Sequence, residues 1–122
     1  MKQLASLTLL VVLVTPMTWD IEANEAGVSA HLASPDKYSV LLENDEVLVL
    51  KMKLEPGTSD KWHKHNAETV YFESGGKATI ATKLGNKTLE IPDGFTMWHK
   101  AWAHQVTNVG ETTITAIIVE SK

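Results

Sequence analysis

Cysteine and arginine are both absent from this chain of 122 residues. Without Cys there is no disulfide, thiolate zinc site, iron–sulfur cluster or cysteine nucleophile. Without Arg there is no planar fork for a phosphate group, since all 11 basic residues are Lys. The formal charge of −4 argues further against nucleic acid and anionic membrane surfaces as partners. Proline and glycine are scarce (4 and 7 residues), and no long biased tract interrupts the chain. What remains is a composition 43% hydrophobic and 21% charged, enough for one ordinary globular domain. Chemistry, if there is any, must come from imidazoles, carboxylates and hydroxyls.

The apolar run Leu4–Val14 is too short for a bilayer, which needs about 20 residues. Behind the basic start Met1-Lys2-Gln3 it reads as the core of a signal peptide. Ile21-Glu22-Ala23 offers a small residue for cleavage, and Val28-Ser29-Ala30 is a more remote option. The expectation is an exported protein, periplasmic or secreted, that loses residues 1–23 and has no transmembrane segment in its mature form. Residues 24–37 read as a polar lead-in, with His31 solvated. Residues 38–122 form the domain.

That domain reads as short strands. Leu48, Leu50, Met52 and Leu54 alternate with Val49, Lys51 and Lys53, the period of a half-buried strand, and Glu55-Pro56-Gly57 ends it. Val70 and Phe72 alternate with Thr69, Tyr71 and Glu73 before Ser74-Gly75-Gly76. The run Ala78–Leu84 is expected to turn at Gly85-Asn86 into Thr88–Ile91. Further strands are expected over Phe95–His99, His104–Asn108 and Thr112–Glu120. Turns recur every 8–12 residues without a helical period, which predicts an all-β sandwich or small barrel.

His63 and His65 are separated by one residue, and on a strand residues i and i+2 project from the same face. Both imidazoles can therefore meet one metal ion, although surface strands also carry this pair by chance. The frame around the pair is more telling. Gly57-x5-His63-x-His65-x2-Glu68-x6-Gly75 resembles the first motif of the cupins, and Gly94-x4-His99-x-Ala101-x2-His104-x3-Asn108 their second. His99 stands where the family usually has Pro, and Ala101 where it usually has Gly. The span from Leu42 to Gly57, with Asn108-Val109-Gly110-Glu111 and Val119-Glu120, is similar to small single-domain cupins associated with β-alanine degradation.

The resemblance implies an all-β, cupin-like jelly-roll β-barrel (a double-stranded β-helix) holding one divalent transition metal. Carried over, the ligands are His63, His65, Glu68 and His104. Imidazole and carboxylate suit Fe, Mn, Ni, Cu or Zn, and four protein ligands on an octahedral ion leave two positions open. Glu68 follows His65 after two residues, where the family usually has three or four, and Thr69 occupies the usual place. If Val70 and Phe72 face inward, so does Glu68, while Thr69 faces out. The alternative is a site of three His.

Trp62, Trp98 and Trp102 all lie close in sequence to these ligands, as core or interface residues or as walls of a ligand pocket. His99 joins them as a pocket candidate or a surface residue. The family hosts dioxygenases, isomerases and decarboxylases, and a fold cannot choose among them. The alternatives are a binding module with a structural metal and a metal-free sugar-binding cupin. A small-molecule ligand or substrate is expected in every case. Ile117 and Val119 are apolar on the face opposite Ile114, Ala116 and Ile118, so a homodimer that covers them is expected.

Overall fold

The computed structural model describes residues 27–122. The expected signal peptide lies outside the described residues. Among the described residues, nine antiparallel strands follow a single helical turn, α1 (Ala30–Ala33). They are β1 (Tyr38–Glu43), β2 (Val47–Leu54), β3 (His63–His65), β4 (Glu68–Ser74), β5 (Gly76–Thr82), β6 (Gly85–Ile91), β7 (Thr96–His99), β8 (Trp102–Asn108) and β9 (Ile114–Ser121). One sheet has the order β1-β2-β9-β4-β7, the other β3-β8-β5-β6. The two sheets enclose the core in the jelly-roll manner expected.

Alternation builds that core. Leu48, Leu50, Met52 and Leu54 of β2, Val70 and Phe72 of β4, and Ile114, Ala116 and Ile118 of β9 are all buried. The register Leu50↔Ile118 and Val70↔Ile118 lays them side by side across the sheet. A one-residue slip would turn every one of them to solvent, so the register is strongly specified. On the opposite face of the same sheet, Leu42 pairs with Val49, Val49 with Val119, Val119 with Thr69, and Thr69 with Trp98. That row remains at the surface, with Leu42, Val119 and Trp98 exposed.

Two local expectations change. The hairpin turns at Lys83-Leu84, two residues earlier than Gly85-Asn86, because Thr82 pairs directly with Gly85. The Thr82 hydroxyl accepts from the Leu84 N–H and donates to the Gly85 carbonyl, both at 3.2 Å, and Gly85 supplies the positive φ of 127°. The described part of the lead-in, residues 27–37, is also more ordered than its polarity suggests. Ser29 bridges to Lys64, α1 follows, and Ala30 is fully buried.

Gly75, between β4 and β5, has a steric role. A Cβ there would fall 1.9 Å from the carbonyl oxygen of Ile91, and the Gly75 N–H already donates to Asp93 at 2.7 Å. Gly75→Ala must push two backbones apart. It is expected to lower stability by about 1–3 kcal/mol or more, read as a fall in thermal midpoint. An unchanged midpoint would show that this junction yields freely.

Candidate metal centre

β3 places His63 and His65 on one face, both buried, with Lys64 between them on the other. β8 runs antiparallel beside β3, and its His104 is the direct partner of His63. Residues more than forty positions apart in sequence thus become neighbours. The three imidazole centroids lie 4.7, 4.8 and 5.1 Å apart, each ring nearly perpendicular to the others. Their ring nitrogens converge, with one atom from each residue within 4.8 Å of the other two.

The surroundings fix how these rings can act. His63 donates from Nδ1 to the Lys61 carbonyl at 2.7 Å, which leaves Nε2 as a lone pair 2.9 Å from Nε2 of His65. Burial, with the nearby His65, pushes the His63 pKa down to about 4. Burial and the other imidazoles hold His104 well below the usual histidine range. At neutral pH both rings are uncharged, the form that binds metal. Behind His63 lies Asp60, whose Oδ1 accepts from the Val106 N–H and whose Oδ2 accepts from the Tyr38 hydroxyl, both at 2.7 Å. Burial raises the Asp60 pKa to about 6 despite these donors.

The opposite sheet contributes two carboxylates. Glu68 on β4 and Glu120 on β9 are direct cross-strand partners, and both are buried. Oε1 of Glu68 accepts from the Trp102 indole at 3.0 Å, and Oε1 of Glu120 accepts from the Asn66 N–H at 2.7 Å. Their other oxygens approach Nδ1 of His65 at 3.0 and 3.4 Å, yet among the described residues neither they nor that nitrogen makes a hydrogen bond. Burial raises the Glu68 pKa, opposed by His65 and the indole. Like charges facing each other across two strands destabilise a sheet. A buried carboxylate pair with orphaned oxygens beside converging imidazoles, of which His63 and His104 are held neutral, fits a cation.

Behind the cluster a chamber of about 50 Å³ runs between the sheets. His65, Glu68, His104 and Trp102 line one part of it, and aliphatic and aromatic side chains line the rest.

The residues singled out from sequence thus separate. His63, His65 and His104 come together. Glu68 is buried beside them and Thr69 is exposed. Trp102 lines the chamber and stacks on His99, with centroids 3.7 Å apart. Trp98 points the other way, 66% exposed, because it alternates with Met97, which lines the chamber. Trp62 is half-buried and is not part of the lining. Closeness in sequence to a ligand does not choose a face of a strand. Sequence spacing does not point to Asp60, Tyr38 or Glu120 as neighbours of the site. Glu120 left a readable trace: it continues the inward series Ile114, Ala116, Ile118, where a carboxylate demands a partner.

Solved structures share this architecture. A cupin domain from Bordetella pertussis Tohama I is 24% identical over 70% of this chain and 91% of its own, with a TM-score of 0.64. A double-stranded β-helix domain protein from Klebsiella pneumoniae is 23% identical over 67% and 73%, with a TM-score of 0.54. A sugar phosphate isomerase of the cupin superfamily from Silicibacter pomeroyi is 20% identical over 77% and 65%, with a TM-score of 0.52. The chain matches no protein-family model and no curated protein. These likenesses establish the fold, that of the cupins. The similarity to the β-alanine-degradation type rests on sequence motifs alone.

Proposed function

We propose that this protein holds one divalent transition-metal ion through His63, His65, His104 and Glu68, and uses it on a small organic molecule admitted to the chamber. The opposed carboxylates carry this reading. Glu68 and Glu120 face one another out of water, each with an unbonded oxygen, beside two imidazoles held neutral. A bound ion would supply positive charge to this carboxylate pair, Lewis acidity and open positions for a ligand. The chamber's apolar wall offers little to the hydroxyls of a sugar, which counts against the metal-free alternative. The test is elemental analysis of protein purified without chelator. Close to one equivalent of metal is expected; protein still metal-free after incubation with Fe, Mn, Ni, Cu and Zn would overturn the reading. Oxygen uptake and product analysis on the loaded protein then distinguish dioxygenase, isomerase and decarboxylase chemistry from binding alone.

Within this reading the two carboxylates divide their work. Both approach Nδ1 of His65, Glu68 at 3.0 Å and Glu120 at 3.4 Å; with Glu68 turned to the ion as ligand, Glu120, anchored by the Asn66 N–H, is left to accept the Nδ1–H of His65 and so aim its Nε2 at the ion. Glu120→Ala is then expected to weaken metal binding about 10- to 100-fold with Glu68 untouched, measured by competition with a chelating dye. Unchanged affinity would return the Nδ1–H to Glu68.

The outer face of the five-stranded sheet suits a second copy of the chain. Leu42, Tyr71, Trp98 and Val119 are exposed on it in adjoining rows, and a two-fold axis lets one such patch cover itself. A dimer is expected by light scattering at micromolar concentration, and Trp98→Glu is expected to yield monomers that still bind metal. A monomeric wild type excludes the assembly.

A further inference from the structure

The wall of the chamber bears on what can enter it. Beyond His65, Glu68, His104 and Trp102 it consists of side chains such as Val70, Phe72, Ile80, Ile91, Met97 and Val106. Among the described residues no lysine lines it, every lysine is exposed or half-buried, and the chain has no arginine. An anionic group carried past the ion would meet no cation and would share its space with Glu68. Removing such a charge from water without a partner is strongly unfavourable. A hydrocarbon tail, by contrast, gains by leaving water.

The way in is visible in the same lining. Its half-buried members, Ile80, Ile91, Met97 and Trp102, belong to β5, β6, β7 and β8. β7 is an edge of one sheet and β6 an edge of the other, so the chamber opens between those two edges. Its volume of about 50 Å³ accommodates about three to four water-sized groups, the size of a short alkyl tail.

We propose that the ligand of this site is a small apolar molecule with one oxygen-bearing head for the ion and no second anionic group. This rests on the metal-binding reading above and narrows it: phosphorylated sugars and dicarboxylates are excluded, and short-chain monoanions or neutral carbonyl compounds are admitted.

The test uses the full chain loaded with Co²⁺, whose visible absorption reports metal uptake first and ligand entry second. Acetate, propanoate, butanoate and hexanoate are titrated beside succinate and glucose 6-phosphate. Affinity is expected to rise about fourfold per added methylene from acetate to butanoate and then level off as the tail reaches the mouth. Succinate is expected to bind at least about tenfold more weakly than butanoate, because its second carboxylate is buried unpaired. Ile80→Phe, which narrows the chamber, is expected to remove the chain-length gain while the Co²⁺ spectrum persists. Succinate or glucose 6-phosphate binding as tightly as butanoate would overturn the inference, and so would affinity flat with chain length, with metal binding left standing in both cases. Absence of a Co²⁺ spectrum overturns the metal reading itself, and the ligand class with it.

Discussion

His104→Ala is expected to yield a folded protein that retains almost no metal. His104 is the one imidazole of the cluster that comes from β8, so the two remaining rings, both on β3, approach the ion from one strand. Loss of a direct ligand should exceed the 10- to 100-fold cost of losing an outer partner, and a fall of more than about a hundredfold is expected. The fold should hardly notice. His104 Nδ1 makes no hydrogen bond, and the pairing of His63 with His104 runs through the main chain, which Ala preserves. Its ring is buried and held neutral at a cost to its own solvation, so removal relieves one penalty while opening a small cavity. The net change is expected to lie within about 1 kcal/mol. Two further variants locate the fourth ligand. Glu68→Gln removes the anionic ligand and should weaken binding less completely, since three imidazoles remain. Thr69→Val should do nothing, because Thr69 is exposed. If Thr69→Val lost metal and Glu68→Gln kept it, the ligand would lie on the other face of β4. Elemental analysis after dialysis, with circular dichroism as the control for folding, decides all three.

How much of this was legible in the sequence follows from what each signal depends on. Period-two alternation is local, and it located β2, β4 and β9, including the inward register of Val70 and Phe72 that places Glu68 in the interior. The His-x-His pair is equally local and was readable at once. Its meeting with His104 is not local: it depends on β3 pairing with β8, which no periodicity reports, and only the likeness of both motifs to a known family brought the two together. Glu120 is hard to see because apolar residues dominate the Thr112–Glu120 run, although one inward position holds a carboxylate. Tyr38 and Asp60 were illegible for a different reason. They meet across 22 residues through a 2.7 Å hydrogen bond that neither short range spacing nor composition foretells. The tryptophans show the limit most plainly. Trp98 and Trp102 both lie within six positions of His104 in the chain, yet alternation sends one to solvent and the other to the chamber wall.

Asn108 closes the second motif, four residues after His104, and its substitution is expected to act in the opposite way: it lowers stability while leaving every candidate ligand in place. It is fully buried, and its amide makes three hydrogen bonds. Nδ2 donates to the carbonyls of Leu54 at 2.9 Å and Thr112 at 2.8 Å, while Oδ1 accepts from the Gly110 N–H at 3.0 Å. One side chain thus ties the end of β2 to the turn between β8 and β9. Asn108→Ala would leave two carbonyls and one N–H without partners where water enters poorly. At about 1–3 kcal/mol for each unsatisfied group, the loss is expected to reach about 3–5 kcal/mol, even after partial relaxation. That is a large share of the 5–15 kcal/mol typical of whole-domain stability. Asn108→Asp separates hydrogen bonding from packing, because it keeps the shape and the acceptor for Gly110 but sets a second oxygen against the two carbonyls. It is expected to be at least as damaging at neutral pH. Urea unfolding of the metal-free proteins measures both. A loss below about 1 kcal/mol for either variant would mean that this junction is stabilised by packing, and that the amide's three bonds are replaced by water at little cost.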